Sequence, residues 1–410
     1  MLNFNHIYYT EYDEKIVGES RRDPLGLQPI WSYFGNRVIK NITTISNDFR
    51  GFREVLLCLA ICGDYQKLHG GILKNYILLF EQLFIYSMIE VGDTDGIIGS
   101  ENGTRLYYAR SSKNPIISAN SNETILASEI SLGYYGRYKT PLIYMGIIDK
   151  SSHVKPLSLD VRYLYGDLYS EVSQSFEKFV KRQKHTYRWN TFETRGREAL
   201  RKAVCGSFRK GEKEFWLKRF KNYSESEKKK DKLLEESYRL LPNNISESTY
   251  SSWLDYYYHL YDSTHDQKVL DVIYLEAYLV CIEKVFYDML KSRTTNDVSL
   301  DVLDHFRTVY NNAKDLSLNG SNDMFNRFQE MKKYCNPYSD DIVRGIYNYH
   351  KYVCNKKHCA LWLEIDEENN IHTFSQDSPE IDSNMGRRNY YAASLQSIKQ
   401  GIVEAENGKY

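Results

Sequence analysis

Proline is scarce: 8 in 410 residues, against 36 tyrosines and 23 glycines. So few breakers, with 42% apolar residues, exclude a collagen-like, disordered or linker-dominated chain. Net charge is missing too. Fifty-four Lys+Arg face 54 Asp+Glu, which excludes a uniformly basic coat protein for nucleic acid. Long uncharged apolar runs are absent. The two most apolar stretches are 72–92, which carries Lys74 and Glu81, and 269–290, which carries Asp271, Glu276, Glu283 and Lys284. A bilayer span needs about 20 mostly apolar residues, so both are expected as buried core helices. The opening MLNFNHIYYTEYDEKIVGESRR has no basic start followed by an apolar core, so no secretory signal is expected. Seven scattered cysteines, an odd number, fit a reducing compartment. A cytoplasmic protein without a membrane partner is the expectation.

Motifs that carry chemistry are missing as well. The sequence has no GxxxxGK[ST] loop to cradle phosphates, no GxGxxG, no GxSxG elbow, no HExxH and no CxxC pair. A metal-dependent nuclease needs Asp…(Asp/Glu)-x-Lys with the second pair on a strand. Glu364-Ile-Asp366 lacks the Lys and Asp149-Lys150 lacks the spacing. No catalytic residue set and no cofactor is expected.

What is present is helical periodicity. A mainly α, multi-helical fold is expected, in four blocks: an N-terminal helical domain over 1–105, a winged-helix-like candidate over 106–160, a basic helical region over 161–245, and a C-terminal helical region over 246–410. Asp23-Pro24 and Pro29 mark the first helix start, since Asp caps free amides and Pro fits the first turn. In 106–160, a helix ending near Leu142-Ile143 is expected to run into a short apolar strand, with Asp149–Ser152 as a wing tip. After Cys359, ALWLEID and IHTF flank a polar turn and predict a β-hairpin near 360–375.

The zero charge is a sum of opposed blocks. Between Lys178 and Lys232 there are 19 Lys/Arg against 7 Asp/Glu. Lys181, Arg182, Lys184, Arg188, Arg195, Arg197, Arg201, Lys202, Arg209, Lys210, Lys218, Arg219, Lys228, Lys229 and Lys230 are candidate phosphate contacts. Tyr187, Trp189, Phe192, Phe208, Phe215 and Trp216 lie among them and can either stack on bases or fill a core. The counterweight is 360–386, with seven acids and no Lys or Arg.

Two further clusters are candidates. Cys335, Cys354, His358 and Cys359, with His350 beside them, carry zinc-type donors, although without paired short knuckles. Arg344 and His350 stand in RGIYNYH, an Arg-x5-His spacing that resembles HEPN-type ribonucleases. There His can serve as acid or base and Arg can hold the scissile phosphate. Gly345 stands where those enzymes carry a polar residue. Cys58 and Cys62, four apart on an apolar face, are expected to be small core residues.

One wider resemblance bears on function. ESRRDPLGLQPIWSYFGNRVIKNITTISNDFRGFREVLL (19–57) and GYYGRYKTPLIYMGIID (133–149) are similar to segments of large helical proteins of bacterial defence islands and mobile elements. Together they cover about 60 of 410 residues. Ser46-Asn47-Asp48-Phe49-Arg50 stands in place of a more basic Arg-x-Arg segment. The resemblance implies a helical build and a defence setting, and it carries no catalytic residues. The resulting expectation is a non-catalytic subunit of an anti-phage or anti-plasmid complex. It would dock an ATPase, helicase or nuclease and touch DNA or RNA through 178–232. The alternatives are a HEPN-like ribonuclease and a zinc-stabilised scaffold.

Overall fold

Two aspartates set the first helices. Both Asp23 oxygens accept backbone amides, Leu27 at 2.8 Å and Gln28 at 3.2 Å, and helix Gln28–Val38 follows with Pro29 in its first turn. Asp48 caps helix Phe49–His69 by accepting the Arg50 amide at 2.8 Å. The computed structural model describes residues 23–109, 113–120, 123–155, 161–182, 187–221, 223–224, 229–242, 252–313, 316, 322–374 and 388–408. These residues are mainly helical, with two short antiparallel hairpins. A further two-residue pair joins Ile116–Ile117 to Tyr187–Arg188. Among the described residues no helix is long and apolar enough to cross a membrane.

The chain forms two compact units, each discontinuous in sequence: Met1–Val38 with Tyr250–Tyr390, and Ile39–Thr249 with Tyr391–Tyr410. The last crossing, Tyr390 to Tyr391, is made by two successive left-handed residues, at φ 42° and 73°. That backbone is uncommon for aromatic residues.

The first unit is built round helix Gln267–Met289, which is buried on most of its surface, with a half-buried stripe through Leu270, Tyr274 and Lys284. Helices Gln28–Val38, Trp253–Thr264, Leu303–Asn312 and Ile342–Lys357 pack on it. Its charges, which break the apolar run in the sequence, are paired. Asp271 accepts from Arg37 at 3.1 Å. Glu276 and Glu283 hold the largely buried Arg388 side chain at 3.2 and 2.7 Å. Glu276 also accepts the Tyr390 hydroxyl at 2.8 Å. The expected C-terminal hairpin is present, pairing Leu363–Ile365 with Ile371–Thr373.

The second unit is centred on the helix hairpin Phe49–His69 and Leu73–Val91. Helices Tyr134–Tyr144, Asp167–Arg182, Thr194–Cys205 and Ala392–Glu406 pack against it. Arg53 is buried in the first of these helices. Its guanidinium donates to both oxygens of Glu212, at 2.7 and 3.0 Å, and to the Val204 and Gly206 carbonyls at 2.8 and 2.6 Å. The helix expected to end near Leu142-Ile143 is present, but the short strand expected after it is reduced to one bridge residue, Ile148. Leu142 and Ile143 lie in helix Tyr134–Tyr144, whose apolar face packs Tyr138 on Phe52 and Tyr134 on Phe84. Gly146 turns the chain at φ 67°, and a single Ile148–Val154 bridge closes the 149–152 turn.

Removing one partner of a buried ion pair strands the other charge, at a cost of about 3–5 kcal/mol. Arg53→Ala is therefore expected to destabilise the second unit by about that amount in urea denaturation. Arg53→Met combined with Glu212→Leu is expected to lose less than the two single changes added together.

Candidate functional site

The basic block divides once it is folded. Arg197 lies on the inner face of helix Thr194–Cys205 with Ala199, Leu200 and Val204. It is stacked over Trp189 at 4.3 Å and bound to Glu90 at 2.5 Å. Arg201 reaches the same Glu90 at 3.3 Å. Arg219 is buried and donates to the Met145 carbonyl at 2.6 Å. These three hold the fold together and are withdrawn from a partner. Arg195 and Lys181 are exposed, but each is paired, with Glu171 at 2.7 Å and Glu177 at 2.5 Å. Arg188 is half-buried in the strand pair with Ile116.

Four of the expected cations remain. Lys202, Arg209, Lys210 and Lys218 are exposed, and none has an ion pair among the described residues. They run from the end of helix Thr194–Cys205, through the 206–211 turn, to helix Glu212–Lys221. Lys184 and Lys228 lie outside the described residues, as do the side chains of Arg182, Lys229 and Lys230.

Four of the six interleaved aromatics point inward, while Tyr187 and Phe208 are half-buried. Trp189, Phe192, Phe215 and Trp216 are buried. Trp216 packs among Phe49, Phe52 and Phe220 at centroid distances of 5.7–6.1 Å. The block therefore presents charge rather than a stacking platform, and the core role is the correct one for these four residues.

Arg344 and His350 are engaged in packing. His350 is fully buried. Its Nδ1 lies 2.8 Å from the Pro24 carbonyl, and its Nε2 accepts the Trp362 amide at 3.0 Å. That geometry fixes the neutral ring with its proton on Nδ1, and burial lowers the His350 pKa. Arg344 donates to the Asp366 carbonyl at 3.3 Å and to Asn369, bracing the turn of the hairpin. Gly345 has its own reason: a Cβ there would collide with the Tyr334 carbonyl of the neighbouring helix. Neither His350 nitrogen is open to a substrate in this arrangement, so the spacing reports helix packing.

The zinc-type donors do not converge on one point. Cys335 is buried beside Tyr278, whose hydroxyl donates to the Cys335 carbonyl at 3.0 Å. Cys354 lies 3.6 Å from His350 Nδ1, and burial pushes its thiol up to about 12. Cys359 is half-buried. His358 adopts the left-handed conformation that ends helix Ile342–Lys357. Among the described residues no group of three or more His, Cys, Asp or Glu is placed to hold a metal ion.

Sequence reasoning missed one cluster. Glu54, Glu81 and Glu129 are all fully buried in the second unit. Four of their oxygens accept no hydrogen bond: both of Glu54, Oε2 of Glu81 and Oε1 of Glu129. A signal did exist, because Glu81 interrupts an apolar run already assigned to the core. The same unit has an open cavity of about 950 Å³ lined by Tyr86, Leu106, Ile117, Ser118, Glu123 and Tyr187. No protein-family model, curated protein or solved structure matches the chain.

His350→Ala is expected to destabilise the first unit by about 2–4 kcal/mol in denaturant titration, through its lost volume and two stranded backbone groups. Because the folded pKa lies below the unfolded value of 6.5, the contribution is full above that pH. It is lost as the pH falls from 6.5 through the folded value. Wild type should therefore show an acid-side loss of stability over this window that His350→Ala lacks.

Proposed function

We propose that this chain is a non-catalytic, cytoplasmic subunit of a bacterial anti-phage or anti-plasmid complex. It docks an ATPase, helicase or nuclease and contacts nucleic acid through the 202–218 segment. One observation supports the nucleic-acid part: four exposed cations, Lys202, Arg209, Lys210 and Lys218, stand on one continuous segment without ion pairs. An unpaired Lys or Arg neutralises phosphates and releases condensed counterions. With Phe215 and Trp216 turned into the core, the contact is electrostatic and independent of base sequence. The defence setting rests on the resemblance of 19–57 and 133–149, and the identity of the neighbouring genes tests it.

If all four cations meet phosphates on duplex DNA, log K against log[salt] should fall with a slope of about −3.6. Duplex and single-stranded oligonucleotides titrated across a salt series read this directly. Reversal of all four to Glu should flatten the slope and abolish binding at moderate salt, with the fold unchanged by circular dichroism. Absence of binding even at low salt would remove the nucleic-acid role.

A further inference from the structure

The stripe Glu54, Cys58, Cys62 repeats every four residues along helix Phe49–His69, so all three share one face. Cys58 and Cys62 approach to 3.9 Å. Glu81 joins from helix Leu73–Val91 and Glu129 from the short helix Glu129–Leu132. The last two meet at Gly133. A Cβ there would lie 2.5 Å from Glu81 Oε2, 2.5 Å from the Glu129 carbonyl and 3.2 Å from Glu129 Cγ. Both carboxyls also grip this stretch of backbone. Glu81 Oε1 accepts the Tyr135 amide, and Glu129 Oε2 accepts the Ile125 amide at 3.0 Å. Glu54 reaches the cluster from a third helix. It lies fully buried, with neither oxygen partnered.

Three anions cannot coexist there. The charged groups acting on Glu54 and Glu81 are mainly the other carboxyls of the cluster, and the nearby cations Arg53 and Arg50 are committed to Glu212 and Asp48. The other titratable groups facing the cluster ionise only to anions. Among the described residues they are Cys58 and Cys62 on the same helix, Tyr86 and Tyr134 on the flanking helices, and Tyr165 from helix Val161–Tyr165. A protonated carboxyl, by contrast, is a donor. Protons carried by these groups are the ligand that the four orphan oxygens lack.

We propose that Glu54, Glu81 and Glu129 form a proton-loaded latch: shared protons hold segment 125–144 against the helix hairpin 49–91, and their loss at alkaline pH releases it. Burial pushes all three carboxyls up, Glu129 to about 7 and the other two well above the usual carboxylate range. A raised folded pKa means that the folded state binds the extra proton. The latch is therefore complete below about pH 4.5 and lost as the pH rises through the folded values. This device is independent of the nucleic-acid role.

Hydrogen–deuterium exchange of peptides covering 125–144 between pH 6 and 9, corrected for intrinsic exchange, tests it on the full chain. Protection of this segment should fall about tenfold for each proton and pH unit linked to opening, while peptides from helix Gln267–Met289 serve as reference. Glu54→Gln keeps the shape and stays neutral, so it should weaken the pH dependence. Infrared spectra should show a protonated carboxyl band at pH 7 that shrinks in Glu54→Gln, Glu81→Gln and Glu129→Gln. If those variants do not fold, the wild-type band and the wild-type exchange profile still decide. Protection independent of pH, absence of the band, or restoration of protection at pH 9 by Mg²⁺ or Mn²⁺ alone would each overturn the latch.

Discussion

The Arg53 guanidinium gathers three separate pieces of chain in the second unit. It ties helix Phe49–His69 to the last turn of Thr194–Cys205 and to Glu212 at the start of Glu212–Lys221. Phe49 and Phe208 flank its plane at 5.9 and 5.6 Å, which keeps water off the pair and strengthens each bond within it. The segment bearing Lys202, Arg209, Lys210 and Lys218 is hung from this anchor. Its inner side is fixed by Arg53, Phe215 and Trp216, so its remaining long side chains are left to solvent. One buried cation thereby decides which other cations face outward.

Glu54, the next residue in the chain, has the opposite accounting. Arg53 has a partner for every guanidinium nitrogen, whereas Glu54 has a partner for neither oxygen. An ionised carboxylate without partners cannot persist in such surroundings, so it gives up its charge. A saturated ion pair and a neutralised acid cluster then sit in one core, and each meets the same constraint by a different route. The first unit relies on ion pairs: Arg388 is held by Glu276 and Glu283, Arg37 by Asp271 and Lys284 by Asp288, which is how a helix as apolar as Gln267–Met289 carries four acidic residues.

Features set by local rules were legible in the sequence. The capping by Asp23, the two core helices and the 363–373 hairpin follow from short-range chemistry and apolar periodicity. The division of the basic block was not legible. Arg195 and Arg197 are two residues apart, yet one faces solvent and the other is buried, because Glu90 lies 107 residues away in sequence. Arg197 does share a helical face with Leu200 and Val204, and that pattern is the signal a single sequence offers for an inward arginine. His350 is similar. It lies between Ile346 and Val353 on a buried stripe, and its polar partners, Pro24 and Trp362, come from elsewhere in the chain. Reading catalytic spacing there meant reading a helix period as chemistry. The acid cluster was hidden for the same reason, since its three members come from three helices.

The discontinuous units have a consequence for how the polypeptide can be divided. A break between 242 and 252 would leave two fragments, each holding part of both cores. The C-terminal fragment would retain helix Ala392–Glu406, whose Lys399 donates to the Tyr238 carbonyl at 3.2 Å and to that of Leu241 on the other fragment. The N-terminal fragment would retain Arg37 and Pro24, the partners of Asp271 and His350. Neither half holds a complete core alone, so the two halves are interdependent in the manner of a split protein.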